Sequence, residues 1–104
     1  MDFGMTPRGR DYLQRTKAFM SEHIEPVEAA FWEEPRAHTA NGDWRQWKVP
    51  AVLEELKAMA RAQDLWNMWI PDDRLGQGLS IADYAYIAEQ TGRSLIAPTV
   101  FNCN

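Results

Sequence analysis

Three stretches of this chain repeat apolar residues at three- and four-residue spacings, each opened by a residue that starts helices. That period belongs to one face of an α-helix, and it directs the chain toward packing helix against helix. In the first stretch Thr6 precedes Pro7, an N-cap followed by proline at the first helical position, where its missing N–H costs nothing. Tyr12, Leu13, Thr16, Phe19, Met20 and Ile24 then form one stripe, with Arg8, Arg10, Gln14, Arg15 and Lys17 mostly on the other side. Pro26 is expected to interrupt this helix, because an interior proline loses a hydrogen bond and crowds the preceding turn. Val27 to Trp32 would resume as a second, offset helix.

The next stretch opens at Pro50. Val52, Leu53, Leu56, Met59 and Ala60 share a face, with Glu54, Glu55, Lys57 and Arg61 outside it and Glu54 placed to support Lys57 at i, i+3. Asp64 falls where this helix should stop, a position that favours the left-handed conformation. In the third stretch Ser80 is the cap and Asp83 the acidic member of an imperfect capping box. Ile81, Tyr84, Ala85, Ile87 and Ala88 are read as its apolar side, and Gly92 as its end. Between the first two stretches, Pro35 to Trp47 shows no period and carries the turn formers Asn41-Gly42 and Asp43. It reads as a long loop pinned by Trp44 and Trp47. Leu65 to Pro71 is apolar and aromatic but too short for an independent helix, and a polar turn and the glycines Gly76 and Gly78 follow it.

Composition narrows the function classes. A chain of 104 residues allows one domain at most. Its formal charge of −4 argues against non-specific nucleic-acid binding, which needs a basic surface to displace counterions. One cysteine, Cys103, permits neither an intrachain disulfide nor a cysteine zinc site. The opening residues lack the apolar run of a signal peptide, and the most apolar segment, residues 65–70, is far short of the ~20 residues of a membrane helix. No membrane insertion and a cytoplasmic location are therefore expected. Five tryptophans are many for this length and require burial here or against a partner.

Candidate chemistry is sparse. His23 has Glu22, Glu25 and Glu28 nearby, but a metal site needs three or four convergent ligands, and Pro26 spoils the helical geometry. No metal site is expected. His38 has no evident partner, and Cys103 has no histidine beside it to make it a nucleophile. Glu33-Glu34 and Asp72-Asp73 are adjacent pairs that point different ways, better read as solvated surface than as acid–base pairs. Gly76-Gln77-Gly78 before the Ser80 helix has some features of a phosphate-binding loop, yet Ile81 stands where a third glycine would complete the dinucleotide pattern, and Ala82 follows it. Trp66 and Trp69 suit either stacking on a planar cofactor or anchoring a core or interface.

Several segments taken together carry a family resemblance. They are Ala62-Gln63-Asp64-Leu65, Trp69-Ile70-Pro71, Leu75-Gly76-Gln77-Gly78-Leu79-Ser80 and Ala88-Glu89-Gln90-Thr91-Gly92-Arg93-Ser94. In that order they resemble the N-terminal helical domain of the flavin-dependent acyl-CoA dehydrogenases. The opening residues 1–7 and closing residues 97–103 resemble the subgroup that is fused to a kinase-like domain in animals and stands alone in bacteria. The resemblance spans the whole chain. It departs at Asp64, where the family usually has glycine, and in the turn at Gly76 and Gly78, which keeps two of the family's three glycines.

The resemblance implies an all-α orthogonal or up-down bundle over residues 1–104, an incomplete N-terminal domain without the middle β domain and C-terminal helical domain. It implies that the whole protein is an FAD-dependent oxidoreductase of fatty acid metabolism. Such an enzyme takes two hydrogens from the α and β carbons of an acyl-CoA thioester and passes electrons to a second flavoprotein, commonly as a homo-oligomer. The catalytic glutamate and most flavin contacts belong to the absent domains. This chain would then hold no catalytic residue and bind no FAD alone, and its role would be to wall the acyl pocket. By that analogy the substrate-pocket candidates are Ser94, Leu95, Pro98 and Phe101, although Leu95 and Phe101 are equally readable as core. The competing reading is a small non-catalytic helical interaction module.

Overall fold

The computed structural model describes residues 4–33, 42–46 and 50–103. Helix α1 (Pro7–Phe19) begins as expected: Thr6 is its N-cap, and the Thr6 hydroxyl accepts the Gly9 N–H at 3.0 Å. Pro26 does not end the helix that follows. A π-helical turn, Met20–Ile24, links α1 to α2 (Glu25–Glu33) with helical dihedrals throughout. The Glu25 N–H reaches back five residues to the Met20 carbonyl. Widening by one residue per turn lets the chain pass a proline that has no N–H to give, so the helical path continues where an α register would fail.

The middle loop is described only around a short 3-10 turn, Trp44–Gln46. Trp44 does not pin it, being 72% exposed. His38, Glu34 and Trp47 lie outside the described residues. Helix α3 (Ala51–Ala62) buries Leu53, Leu56 and Ala60, with Val52 and Met59 packed partly beside them and Lys57 bonded to Glu54 at 3.3 Å. Its end is a Schellman motif. The Leu65 N–H donates to Ala60 O and the Asp64 N–H to Arg61 O, while Asp64 takes the left-handed φ of 59°. The aspartate thus adopts the conformation that its position requires.

Helix α4 (Ile81–Thr91) is capped by the Ser80 hydroxyl, which accepts the Asp83 N–H at 3.1 Å. Its inner face differs from the sequence reading. Asp83, Ile87 and Thr91 are the buried residues, whereas Ile81 is 74% exposed and Ala85 is also outside. Asp83 turns inward because its carboxylate has partners on α1. The Thr6 N–H donates to it at 3.0 Å and the Thr6 hydroxyl at 2.5 Å. The second half of the capping box is therefore made across helices, and α1 packs directly on α4. A short helix α5 (Ala97–Val100) closes the described chain and packs on α3.

The core lies where these helices meet. Phe19 and Phe101 sit edge to face with centroids 5.4 Å apart, and Ile24, Leu65, Met68, Ile87 and Val100 are fully enclosed with them. Thr16 is buried too, because its hydroxyl donates back to the Tyr12 carbonyl at 2.8 Å. The segment after α3 is held to the chain end through Asn67 and Asn102, both left-handed. The Asn67 N–H donates to Phe101 O, the Asn102 amide to Asn67 Oδ1, and the Trp69 indole to Asn102 O at 2.8 Å. Gly76 is required here, since a Cβ would lie 2.2 Å from the Ile70 carbonyl oxygen. Among the described residues no strand is present, and no helix is long and apolar enough to cross a membrane.

Candidate functional site: a hollow at the π turn

A hollow of about 300 Å³ opens between the π turn and the end of α4. Buried Met20 and Ser94 form its floor, and Lys17, Ser21, Glu25, Glu28, Gln90 and Arg93 surround them. The volume is at the low end for a small-molecule site. Two cations and two carboxylates give the rim no net charge. No histidine lines it, and the Ser94 hydroxyl is engaged in accepting the Ile96 and Ala97 N–H groups at 3.2 and 3.0 Å, which caps α5. This chemistry suits positioning part of a ligand and supplies no nucleophile and base. It also does not fit a flavin, since the lining offers no aromatic or extended apolar face.

The four pocket candidates are near one another in sequence and separated in environment. Ser94 lines the hollow. Leu95 borders it through its backbone, whose N–H donates to Glu28 Oε1 at 2.9 Å, but its side chain is 79% exposed. Pro98 is half-buried at the start of α5. Phe101 faces inward on Phe19 and lies in the core. Sequence reasoning missed Met20, Ser21, Glu25 and Glu28. The available signal was Pro26 set inside an unbroken apolar stripe, a combination that a π turn accommodates.

Other candidate groups are occupied within the fold. Among the described residues no three His, Cys, Asp or Glu side chains converge as for a metal, and His23 packs edge to face on Phe19 at 4.9 Å. The Gly76 N–H donates to Asp72 O at 2.8 Å, so it is not free to cradle a phosphate. Asp72 itself is held below the usual carboxylate range by the N–H groups of Arg74 and Leu75, an ordinary Asx turn. Cys103 is half-buried, and burial pushes its thiol upward despite an opposing hydrogen bond from Tyr84. That disfavours the thiolate a nucleophile needs. Trp66 lies under Arg61 at 4.2 Å, so its face is taken by a cation within the chain.

No family model matches the chain. Individual proteins do. Acyl-CoA dehydrogenase family member 11 of Rattus norvegicus is 43% identical over 102 residues, covering 97% of this chain and 12% of the relative. FadE2 of Mycobacterium tuberculosis, described as an acyl-CoA dehydrogenase, is 38% identical over 109 residues, covering 99% of this chain and 24% of the relative. A solved structure described as an acyl-CoA dehydrogenase from Mycobacterium abscessus superposes with a TM-score of 0.85 at 41% identity, over 97% of this chain and 26% of that one. The chain thus spans between about an eighth and a quarter of these relatives. Over nearly its whole length the chain is similar, in sequence and in fold, to a helical segment of these acyl-CoA dehydrogenases.

Proposed function

We propose that this chain is the N-terminal helical part of a flavoprotein that dehydrogenates acyl-CoA thioesters, and that it contributes one wall of the acyl pocket. The observation that carries the reading is the agreement of sequence and fold, 41% identity with a TM-score of 0.85 to a structure described as an acyl-CoA dehydrogenase. The stretch from Ser94 to Phe101 is the proposed wall, with Ser94 at the hollow, Leu95 presented outward, Pro98 turning the chain and Phe101 anchoring the turn in the core. FAD, when bound to the whole protein, supplies hydride acceptance. No residue of this segment is assigned to it. The acyl-CoA, an electron-accepting flavoprotein and further copies of the same protein are the proposed partners, and the cytoplasm the proposed compartment.

Reading the gene past codon 104 tests the proposal. A frame continuing into a strand-rich region and a second helical region is expected, and the protein it encodes should carry flavin that bleaches when acyl-CoA is added without oxygen. An immediate stop codon, or a full protein without flavin, overturns it. A non-catalytic interaction module is the second reading, favoured by the outward exposure of Trp44, Leu75, Ile81 and Leu95. Sedimentation as a clean monomer that binds no hydrophobic dye counts against it.

A further inference from the structure

One backbone group in the proposed pocket wall is held from outside the wall. In the turn from Ser94 to Pro98 the other donors are satisfied locally. The Ser94 N–H donates to Thr91 O at 3.1 Å, and the Ile96 and Ala97 N–H groups donate to Ser94 Oγ at 3.2 and 3.0 Å. Pro98 has no N–H to place. The Leu95 N–H instead donates at 2.9 Å to Oε1 of Glu28, a residue of α2 that lies 67 positions earlier. Glu28 is firmly rooted, because fully buried Ile24 and partly buried Val27 tie the chain just before it to the core. Among the described residues its carboxylate forms no ion pair with Lys17 or Arg93, which line the same hollow. Leu95 is exposed although Ser94, Ile96 and Ala97 around it are buried.

We infer that Glu28 is a positioning residue of the proposed acyl wall, fixing the backbone of Leu95 and with it the direction in which that side chain meets an acyl chain. This rests on the reading of Ser94 to Phe101 as an acyl-pocket wall. A carboxylate that accepts an N–H makes a charge-assisted bond, stronger than a neutral one. The Leu95 N–H is nevertheless near the surface, so water takes the place of the carboxylate when Glu28 is lost. The bonds to Thr91 and Ser94 hold the rest of the turn in either case. Loss of Glu28 therefore frees one backbone group and leaves the fold in place, which separates a positioning role from a structural one. One methylene in an apolar pocket is worth about tenfold or more in discrimination, and that depends on a wall held in place. Reach and chemistry select the side chain: aspartate is one methylene shorter, whereas glutamine keeps an accepting oxygen at the same distance from the backbone.

Amide hydrogen exchange at Leu95, followed by NMR in the full chain, reads the tie directly. Glu28→Ala and Glu28→Asp should speed it about tenfold with Ile96 and Ala97 unchanged, and Glu28→Gln should stay within about threefold of the parent. Glu25→Ala removes the neighbouring carboxylate of the hollow and should leave Leu95 as in the parent. Equal Leu95 exchange in E28A and the parent, or the same acceleration in E25A, overturns the inference. The acyl arm uses the whole protein that carries this segment, assayed with butyryl-, octanoyl- and palmitoyl-CoA. E28A should flatten the ratios of kcat/KM among the three by about tenfold, more through KM than through kcat, and E28Q should restore them. Ratios unchanged in E28A overturn the inference and leave the acyl-CoA reading intact. A parent protein that oxidises none of the three removes that reading and the inference with it, whatever the exchange at Leu95 shows.

Discussion

Replacing Gly9 with alanine is expected to destabilise the protein, against the ordinary rule for helices. Gly9 is a buried residue of α1, and in a helix interior glycine is worse than alanine by roughly 0.5–1 kcal/mol. Here a Cβ on residue 9 would lie 2.3 Å from Asp83 Cγ and 2.5 Å from its Oδ1. That carboxylate is 2% exposed and accepts both the N–H and the hydroxyl of Thr6. Moving it aside weakens two hydrogen bonds to a charged acceptor, each worth about 1.5–3 kcal/mol when fully lost. Because Thr6 is itself exposed and regains water, a net loss of about 2–3 kcal/mol is expected for Gly9→Ala. The double variant G9A/D83A removes the clash, so Gly9→Ala measured in the Asp83→Ala background should be neutral or stabilising. Urea unfolding of the four proteins, followed by circular dichroism, gives the coupling energy. Gly9→Ala that stabilises the parent by as much as it stabilises D83A would refute the reasoning. Acid titration adds an independent arm. Burial raises the Asp83 pKa, but the Thr6 hydroxyl and N–H, the Ser80 hydroxyl and the Arg10 charge outweigh it, so the folded value lies below the ordinary one. A carboxylate depressed on folding contributes stability that is present above its unfolded pKa of about 3.9 and lost as pH falls through the folded value. The parent should therefore lose a stability component below pH ~4 that D83A lacks.

Asp64 holds a φ of 59° at the end of α3, so Asp64→Gly should stabilise the protein by about 1 kcal/mol, read as a higher urea midpoint at unchanged slope. A midpoint that falls would contradict the Schellman assignment. Phe101→Ala should cost about 3–5 kcal/mol, because the ring is fully enclosed against Phe19, whereas Leu95→Ser should stay within ~0.5 kcal/mol. Similar losses for the two would deny that one residue anchors the turn and the other only presents a side chain. Cys103 should react with iodoacetamide more slowly than a free cysteine near pH 8, as its raised pKa depletes thiolate, and should reach the free rate once urea unfolds the chain. Equal rates before and after unfolding would show that burial does not protect the thiol.

Helix starts and stops were legible wherever the determining contact is local. Thr6-Pro7, Ser80 and Asp64 act through hydrogen bonds to residues three to five positions away, which a sequence displays directly. The inner face of α4 was not legible for the opposite reason. Ile81 is the stronger hydrophobe, yet Asp83 is buried in its place because its partner Thr6 lies 77 residues earlier in the chain. Pro26 reads as a break only in an α register; the second helix expected over Val27 to Trp32 is present within α2, and the π turn before it reconciles the proline with a continuous helical path. The same turn supplies Met20 and Ser21 to the hollow, and only Ser94, beyond the end of α4, marks the site in the sequence.

The π turn also sets what kind of object the hollow is. A π turn amounts to one residue inserted into an α-helix, with the flanking turns left in phase. The hollow lies beside that extra residue, against Met20, Ser21 and Glu25. Its presence is therefore governed by chain length at one point in the helix as much as by the size of any side chain. Removing a single residue between positions 20 and 24 would impose the α pitch on a segment where Pro26 has no N–H to give, so the recess can be closed only if the proline is replaced as well. The recess and the proline are therefore tied together, and a point substitution in the lining would only tune what it holds.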